Sequence, residues 1–329
     1  MPDTEPDPQP GTQSEDGAAW RSPLLDLDDA VEADAPDAGV AAHYGGIARE
    51  QRRLEAGEGF VDLSHRDVVT VRGPDRLTWL HSLTTQHLAD LAPGVPTEVL
   101  LLSPQGRIEH GFAGIDDGET FRAHTEPGAG PALVAFLDRM RFMMRVEVAL
   151  DPTSAVIGLP GLQWRFVERD ALGGLVDELG VPAGTWAWEA LRIADGQVRI
   201  GLDTDERTIP NEAGLLERAV HLDKGCYRGQ ETVARVHTLG RPPRRLVLLH
   251  LDGSAEHLPA AGSDVLLGEK VVGTVGTTAR HHELGPIALG LVKRNVDVAA
   301  ELVVDGVAAS QEPVVDPEVG LHVRARLDG

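Results

Sequence analysis

The only cysteine of the chain lies in the octapeptide Lys224-Gly225-Cys226-Tyr227-Arg228-Gly229-Gln230-Glu231. Cations stand on both sides of it, and nearby positive charge favours the thiolate, the form of the side chain that attacks electrophiles and binds soft metals. Glycines at positions 225 and 229 leave the sulfur unshielded by bulky neighbours. A free cysteine is most often a small buried hydrophobe. The charged surroundings favour a reactive Cys226, and the sequence leaves both interpretations open.

A change of pattern follows the octapeptide at Gly240-Arg241-Pro242-Pro243-Arg244, where we place a domain boundary. Beyond it, nearly every apolar segment is short and bounded by turn residues. The predicted strands are 246–251, 264–267, 270–277, 287–292, 301–304 and one near His322. Such a series is typical of a small antiparallel barrel, which we assign to 245–329.

Helical and strand periodicities alternate in the preceding part of the chain, from about residue 41. Residues 43–56 form a polar helix candidate, and a second helix is predicted to begin at Pro74. A strongly apolar helix is predicted over 131–144, with Met140 and Met143 among its buried positions. Mixed helices and strands of this kind indicate an α+β module over 41–240.

The chain has 30 basic and 52 acidic residues, a net charge of −22 that argues against nucleic-acid and anionic-membrane binding. A single cysteine excludes a disulfide framework within this chain. No apolar run approaches the roughly 18 residues of a membrane span, and no signal peptide is visible at the N-terminus. We therefore expect a cytoplasmic protein that binds neither nucleic acid nor membrane.

Residues 1–40 carry eleven acidic residues and one arginine. Apolar side chains are few there, so burial would not offset the entropy of ordering the chain. We expect a disordered acidic tail over 1–40, with Trp20 and Leu24-Leu25 as a weak docking element. A purely solubilising tail is the alternative.

The octapeptide resembles the Lys-Gly-Cys-Tyr-x-Gly-Gln-Glu signature of the YgfZ family, whose members are relatives of the glycine cleavage system T-protein. Other stretches resemble the same family along most of the chain, from about 41 to 310. They are 62–64 with 71–75, 191–196 with 209–213, and 273–278 with 287–290. The motif that contains the cysteine is the most specific of them.

The resemblance implies a T-protein-like module of two interwoven α/β subdomains, followed by the C-terminal barrel. It also implies that tetrahydrofolate, or another folate, binds in a central opening among the three parts. Proteins of the YgfZ family aid iron–sulfur cluster assembly or repair. The implied partners are therefore folate and iron–sulfur client or scaffold proteins.

Catalysis is left open by a substitution after the turn at 105–106. Aminomethyltransferase relatives carry two aspartates there, one of them catalytic, whereas this chain has His110 and Gly111 at those positions. The adjacent Glu109 is expected on the opposite face of the strand from His110. A pterin-binding glutamate of the transferases is replaced by Ala194, which implies weaker or altered folate binding.

Two residues are candidates for holding folate. Trp188 stands where folate-binding relatives carry a tryptophan, and Arg235 follows the cysteine motif as a candidate for the acidic tail. A core position for Trp188 and a surface ion pair for Arg235 are equally open. The pair His281-His282 lacks further ligands at suitable spacing, so we predict no metal site.

One cysteine cannot hold a cluster that commonly needs four thiolates. The resulting hypothesis is a folate-dependent accessory factor for iron–sulfur clusters. Cys226 is its reactive group, Lys224 and Arg228 stabilise the thiolate, and Gln230 with Glu231 orients the loop.

Two alternatives remain. One is a folate-dependent aminomethyl- or methyltransferase in which Glu109 or Asp195 replaces the lost acid. The other is a binding scaffold that folate merely stabilises.

Overall fold

The structure, a computed structural model, describes residues 20–240 and 242–318. Its strands are β1 (Ala30–Glu32), β2 (Ala41–Tyr44), β3 (Val61–Asp62), β4 (Asp67–Arg72), β5 (Thr97–Leu102), β6 (Ile108–Asp116), β7 (Thr120–Thr125), β8 (Glu147–Leu150), β9 (Ser154–Leu159), β10 (Gln163–Glu168), β11 (Arg244–Leu251), β12 (Asp264–Leu267), β13 (Lys270–His281), β14 (Gly285–Lys293), β15 (Leu302–Val304) and β16 (Val307–Pro313). Its α-helices are α1 (Ile47–Glu55), α2 (Arg76–Leu83), α3 (Gly130–Met140), α4 (Leu175–Leu179), α5 (Thr185–Ala194), α6 (Leu216–Ala219) and α7 (Gln230–Leu239).

Two antiparallel sheets interleave along the chain before residue 240. The larger has the strand order β5-β6-β7-β4-β8, and its core contains the fully buried Leu80 and Phe121. The smaller has the order β10-β9-β3, although β3 precedes the whole larger sheet in sequence. Because β3 pairs with the later β9, the smaller sheet is discontinuous in the chain, and the whole larger sheet is inserted between β3 and β9. This is the interwoven arrangement that the resemblance implies.

A closed barrel of six antiparallel strands follows, in the order β11-β14-β13-β12-β15-β16. Val247, Val265 and Leu302 are among the fully buried residues that fill it. The final barrel strand is β16, and the strand predicted near His322 lies outside the described residues. Closure leaves no sheet edge exposed, as in other small barrels.

Part of the predicted acidic tail is ordered, so the prediction of disorder is wrong for residues 20–40. Leu24 and Leu25 are buried, and Leu24 packs in a cluster with Phe60. Strand β1 pairs with β2, and Asp37 is buried in an ion pair with Arg199. Amino-acid composition does not predict the order of residues 20–40, because specific long-range contacts, rather than total apolar content, hold the segment in place. Residues 1–19 lie outside the described residues.

Helix α3 is shorter than predicted and ends at Met140. The Trp79 indole donates a hydrogen bond to the Met140 carbonyl at 3.2 Å. Phe142 then adopts a positive φ of 44°, which turns the backbone out of the helix. Met143 is therefore 83% exposed, Met140 at the helix end is 40% exposed, and the predicted burial of both is wrong.

Candidate functional site

A central cavity of about 140 Å³ lies between the two sheets and helix α5. The residues that define it include Arg66, Leu100, Gly111, Ala113, His124, Glu126, Trp164, Trp188, Arg192, Arg199 and Ile200. Pockets that enclose a drug-sized ligand usually measure roughly 300–1,000 Å³. The central cavity would therefore enclose only part of such a ligand.

Aromatic rings form one wall of the central cavity. Trp188 projects from α5 and is 5% exposed. It lies so close to strand β9 that a Cβ atom at Gly158 would be 2.5 Å from its Cζ3 atom, which explains glycine at that strand position. Trp164 lies edge-on to the His124 ring, with 4.6 Å between ring centroids. These rings offer flat, apolar surfaces to a planar ligand.

Two polar groups of the same wall have no partner among the described residues. The Nε2 atom of His124 and the Nε atom of Arg66 are buried without a hydrogen bond. Burial lowers the pKa of His124 well below its usual value, with a further contribution from Arg66, so the imidazole is neutral. Buried polar groups are normally paired. Their position therefore suits a ligand that carries hydrogen-bonding groups on its ring edge.

A buried ion network closes the base of the central cavity. The Arg192 guanidinium contacts Glu189, donates to Asp203 at 2.9 Å and donates to Thr277 in the barrel at 2.6 Å. Arg199 pairs with Glu126 and Asp37, both at 2.7 Å, and with Glu189 at 3.3 Å. Although burial alone would raise it, Arg192 and Arg199 lower the pKa of Glu189. Helix α5, the segment after it and the barrel are thereby joined by charge pairs.

A second opening, the hairpin cleft, adjoins the central cavity and shares Ile200 with it. The cleft is lined by Ser103, Gln105, Arg107, Ile108, Glu109, Ile200, Gly201, Thr204, Asp205 and Glu206. The pairing of β5 with β6 skips Glu109, since Leu101 faces His110 and Leu102 faces Ile108. Glu109 is thus the extra residue of a β-bulge, which re-aims a side chain locally.

The bulge separates the two residues near the expected acid position. His110 turns away from the cavities and packs against Phe136, with 5.3 Å between ring centroids. Glu109 lines the hairpin cleft instead. Of the two residues, Glu109 is the one that lines an opening, while the expected opposite orientation of their side chains stays a prediction. Asp195, the other acid candidate, is exposed at the end of α5 and lines neither opening.

The octapeptide loop packs directly on the hairpin turn between β5 and β6. Gly229 has a φ of 83°, and a Cβ atom there would lie 2.6 Å from the Ser103 carbonyl oxygen. A Cβ atom at Gly106, whose φ is 78°, would lie 2.7 Å from the Thr232 Cβ atom. Both positions therefore combine a left-handed backbone with a close approach that only glycine permits.

Cys226 is exposed, as its charged neighbours predict, but it lines neither the central cavity nor the hairpin cleft. Arg228 reaches back to Glu109, with 3.1 Å between Nη1 and Oε2. The cation at 228 is therefore already paired with a carboxylate. Gln230 and Glu231 begin α7, and their side chains form no hydrogen bond with the described residues.

Lys224 has a structural contact that the sequence did not reveal. Its ammonium group donates to the carbonyl oxygens of His81, Thr84 and Gln86 at 2.5, 2.6 and 2.9 Å. An ammonium group has three protons, and all three are used. Burial lowers the pKa of Lys224 to about 8. Lys224 therefore fixes the loop to the end of α2, and its role in stabilising the Cys226 thiolate stays a prediction.

Replacement of Lys224 by methionine should lower the free energy of unfolding by about 3 kcal/mol, since three buried carbonyl groups lose a charged donor. Urea denaturation followed by circular dichroism would measure the change. The matched control is Lys270→Met at an exposed position of β13, which should change stability by less than about 0.5 kcal/mol. Equal stabilities of the two variants would contradict the anchoring role.

The two folate candidates differ in their positions. Trp188 lies in the wall of the central cavity, although it also packs in the apolar cluster around Leu63. Arg235 is exposed on α7 and does not line the cavity. The sequence reasoning missed the cavity residues Arg66 and Arg199, since neither lies in a recognisable motif.

Glu55, His281 and His282 bring their ligand atoms within 4.8 Å of one another. The Nδ1 atom of His281, however, accepts hydrogen bonds from the backbone N–H groups of Glu283 and Leu284, both at 3.2 Å. In a neutral imidazole the proton is then on Nε2, so neither nitrogen has a free lone pair for a metal. We therefore place no metal at this cluster.

Comparisons with known proteins agree on the fold. No protein-family model matches the chain. The aminomethyltransferase of Nostoc sp. is 27% identical over 83% of this chain and 87% of its own length. The aminomethyltransferase of Thermotoga petrophila is 24% identical over 89% of each chain. The crystal structure of glycine cleavage system aminomethyltransferase T from Bartonella henselae matches with a TM-score of 0.74 at 18% identity, over 90% of this chain and 97% of that one.

These relatives are aminomethyltransferases, one of them from the glycine cleavage system, and the predicted fold class is confirmed. These relatives support the T-protein-like superfamily without singling out the YgfZ family, so that finer assignment remains a prediction. None of the helices in the described part of the chain has the length and apolar character needed to cross a bilayer.

Proposed function

We propose that this chain is a folate-dependent protein of one-carbon metabolism that catalyses an aminomethyl or methyl transfer. The observation that carries the proposal is the central cavity, where two tryptophans face two buried polar groups without partners. Homology to aminomethyltransferases of the T-protein type supports the same conclusion.

The residues present fit the bicyclic ring of a tetrahydrofolate. Trp164 and Trp188 would contact its faces, and Arg66 with His124 would hydrogen-bond to its polar edge. A bound tetrahydrofolate would supply the carrier for the one-carbon unit. The chain itself contributes Glu109, which lines the hairpin cleft together with Ile200. The carboxylate oxygens of Glu109 can hold or release a proton there.

Isothermal titration with 5-formyltetrahydrofolate tests the binding part of the proposal. The Arg66→Gln variant should bind about 10 to 100 times more weakly, because hydrogen bonds from a charged donor contribute roughly 1.5–3 kcal/mol. Arg72→Gln, which removes the same charge from an exposed position at the end of β4, should bind like the wild type. Absence of binding to the wild-type protein would overturn the proposal.

A role in iron–sulfur cluster assembly or repair is a second candidate, favoured by the exposed thiol of Cys226. Its loop contacts the hairpin through the Arg228–Glu109 ion pair, so the thiol and the proposed folate site belong to one region. A single thiolate would act transiently, as a ligand shared with a partner or as a nucleophile.

Cells that lack the native protein should regain cluster-dependent enzyme activities when given the wild-type chain, but not when given Cys226→Ala. Glu217→Gln, at an exposed position of α6 outside the octapeptide, serves as the control and should restore them fully. Full restoration by Cys226→Ala would remove the cysteine from any such role.

A further inference from the structure

The loop of residues 34–38, here called the Asp37 loop, is exposed except at one position. Four of its five residues are exposed, and Asp37 alone is buried. The loop closes the hairpin of β1 and β2, whose base is held by the hydrogen bond from Ala33 N–H to Val40 O at 2.9 Å. A single inward carboxylate thus attaches an otherwise solvated loop to the body of the protein.

The Asp37 carboxylate is bound to Arg199, an arginine that lines two cavities. Asp37 accepts two hydrogen bonds from Arg199, at 2.7 and 3.0 Å, and its Oδ1 atom lies 3.0 Å from His65 Nε2. Arg199 lines the central cavity on one side. On the other side it lines a second cavity of about 450 Å³, here called the N-terminal cavity, together with Ala33, Pro36, Trp186 and Leu258.

The volumes of the central and N-terminal cavities determine which part of a long ligand each cavity could bind. The central cavity, at about 140 Å³, is smaller than the roughly 300–1,000 Å³ of pockets that enclose a drug-sized ligand, so it would enclose only part of a folate. The remaining half of a folate is an aromatic ring that ends in a dicarboxylate, and it needs apolar walls and a cation. The N-terminal cavity offers both, because Trp186 and Arg199 are among its lining residues.

The Arg199 guanidinium has no room for a further carboxylate. Asp37, Glu126 and Glu189 already surround it, and the nearby cations are Arg66, Arg192 and His65. A ligand carboxylate can bind there only by exchange with a resident one. Glu189 is fixed in helix α5, and Glu126 lines the central cavity but not the N-terminal one. Asp37 belongs to the exposed loop and lines the N-terminal cavity, so it is the group that a ligand entering there would displace.

We propose that the Asp37 loop is a latch whose carboxylate imitates the acidic tail of the ligand on Arg199 and is displaced when that tail enters the N-terminal cavity. This inference rests on the proposed function and concerns the regulation of the same site. The latch would reduce the apparent affinity for ligands that carry the acidic tail, because only molecules with an open latch can accept it.

Titration of Asp37→Ala with three probes tests the latch: 5-formyltetrahydrofolate, p-aminobenzoyl-glutamate and a bare pterin without the tail. If the latch is open in about a tenth of the molecules, its removal should tighten binding of the two tailed probes about tenfold and leave the pterin unchanged. Asp28→Ala removes an exposed carboxylate just before β1 that lines neither cavity, and should behave like the wild type.

A second variant tests the latch independently if Asp37→Ala does not fold. Glu32 accepts a hydrogen bond from Gly39 N–H at 3.1 Å and does not touch Arg199, so Glu32→Ala should loosen the loop and shift affinity in the same direction. Equal or weaker binding of the tailed probes by both variants would overturn the latch alone. Failure of every protein to bind any probe would overturn the proposed function and the latch together.

Discussion

Replacement of Glu109 by glutamine should lower turnover with tetrahydrofolate and a methylated amine donor by about 10²–10⁴-fold, the usual contribution of a positioned acid or base. The bulge in β6 turns this carboxylate into the hairpin cleft, next to the central cavity. Glutamine keeps the size of the side chain but cannot exchange a proton. Steady-state kinetics should therefore show a fall in kcat, while affinity for 5-formyltetrahydrofolate stays unchanged.

The matched control is Glu206→Gln, which removes a carboxylate from the same cleft at another exposed position. Its turnover should equal that of the wild type. The Glu109 ion pair with Arg228 is partly exposed, so its loss should cost less than about 1 kcal/mol of stability. Wild-type turnover by the Glu109→Gln variant would exclude Glu109 as the acid or base. Absence of turnover by both the wild type and the variant would favour a binding role for the protein.

The resemblance to the transferases points to His110 as the residue at the acid position, whereas Glu109 is the residue that lines the hairpin cleft. Strand periodicity predicts that neighbouring side chains face opposite sides. It does not reveal a bulge, since the extra residue shows itself only in the pairing of β5 with β6. Which of the two faces adjoins the cavity depends on Ile200, which is ninety residues away in sequence.

The barrel and the boundary before Arg244 follow from local patterns of short strands and turns. The site depends on contacts that local patterns do not carry. Arg199 and Asp37 are 162 positions apart, and Arg66 appears in the sequence as an ordinary turn residue. Composition suggested disorder for the segment that contains Asp37, because a count of charges does not show that one carboxylate meets a buried arginine.

The sequence of the octapeptide likewise does not reveal which groups its two cations contact. Adjacent charges suggested that Lys224 and Arg228 act on the cysteine between them. In the folded chain both cations point to other partners, the carbonyl groups after α2 and the Glu109 carboxylate. Sequence proximity is a poor guide here because the glycines at 225 and 229 let the backbone turn sharply within a few residues.

Replacement of Arg192 by methionine should lower the free energy of unfolding by about 3–5 kcal/mol, because it leaves buried carboxylates without a counter-charge. Arg192 is 3% exposed and contacts both Glu189 and Asp203, whose side chains are largely inaccessible to water. Asp203 in turn accepts a hydrogen bond from the Thr277 N–H group at 2.7 Å. The loss should therefore weaken the attachment of the barrel as well as the base of the central cavity.

Urea denaturation would measure this change, with Arg165→Met as the matched control. Arg165 pairs with Glu178 at 2.7 Å on the surface, so its loss should cost less than about 1 kcal/mol. Arg192→Lys should be intermediate, since a single ammonium keeps the charge but cannot reproduce the forked contacts of the guanidinium. If Arg192→Met were as stable as Arg165→Met, the ion network would not be what holds helix α5 to the barrel, and apolar packing around Ala190 and Ile193 would have to account for the attachment.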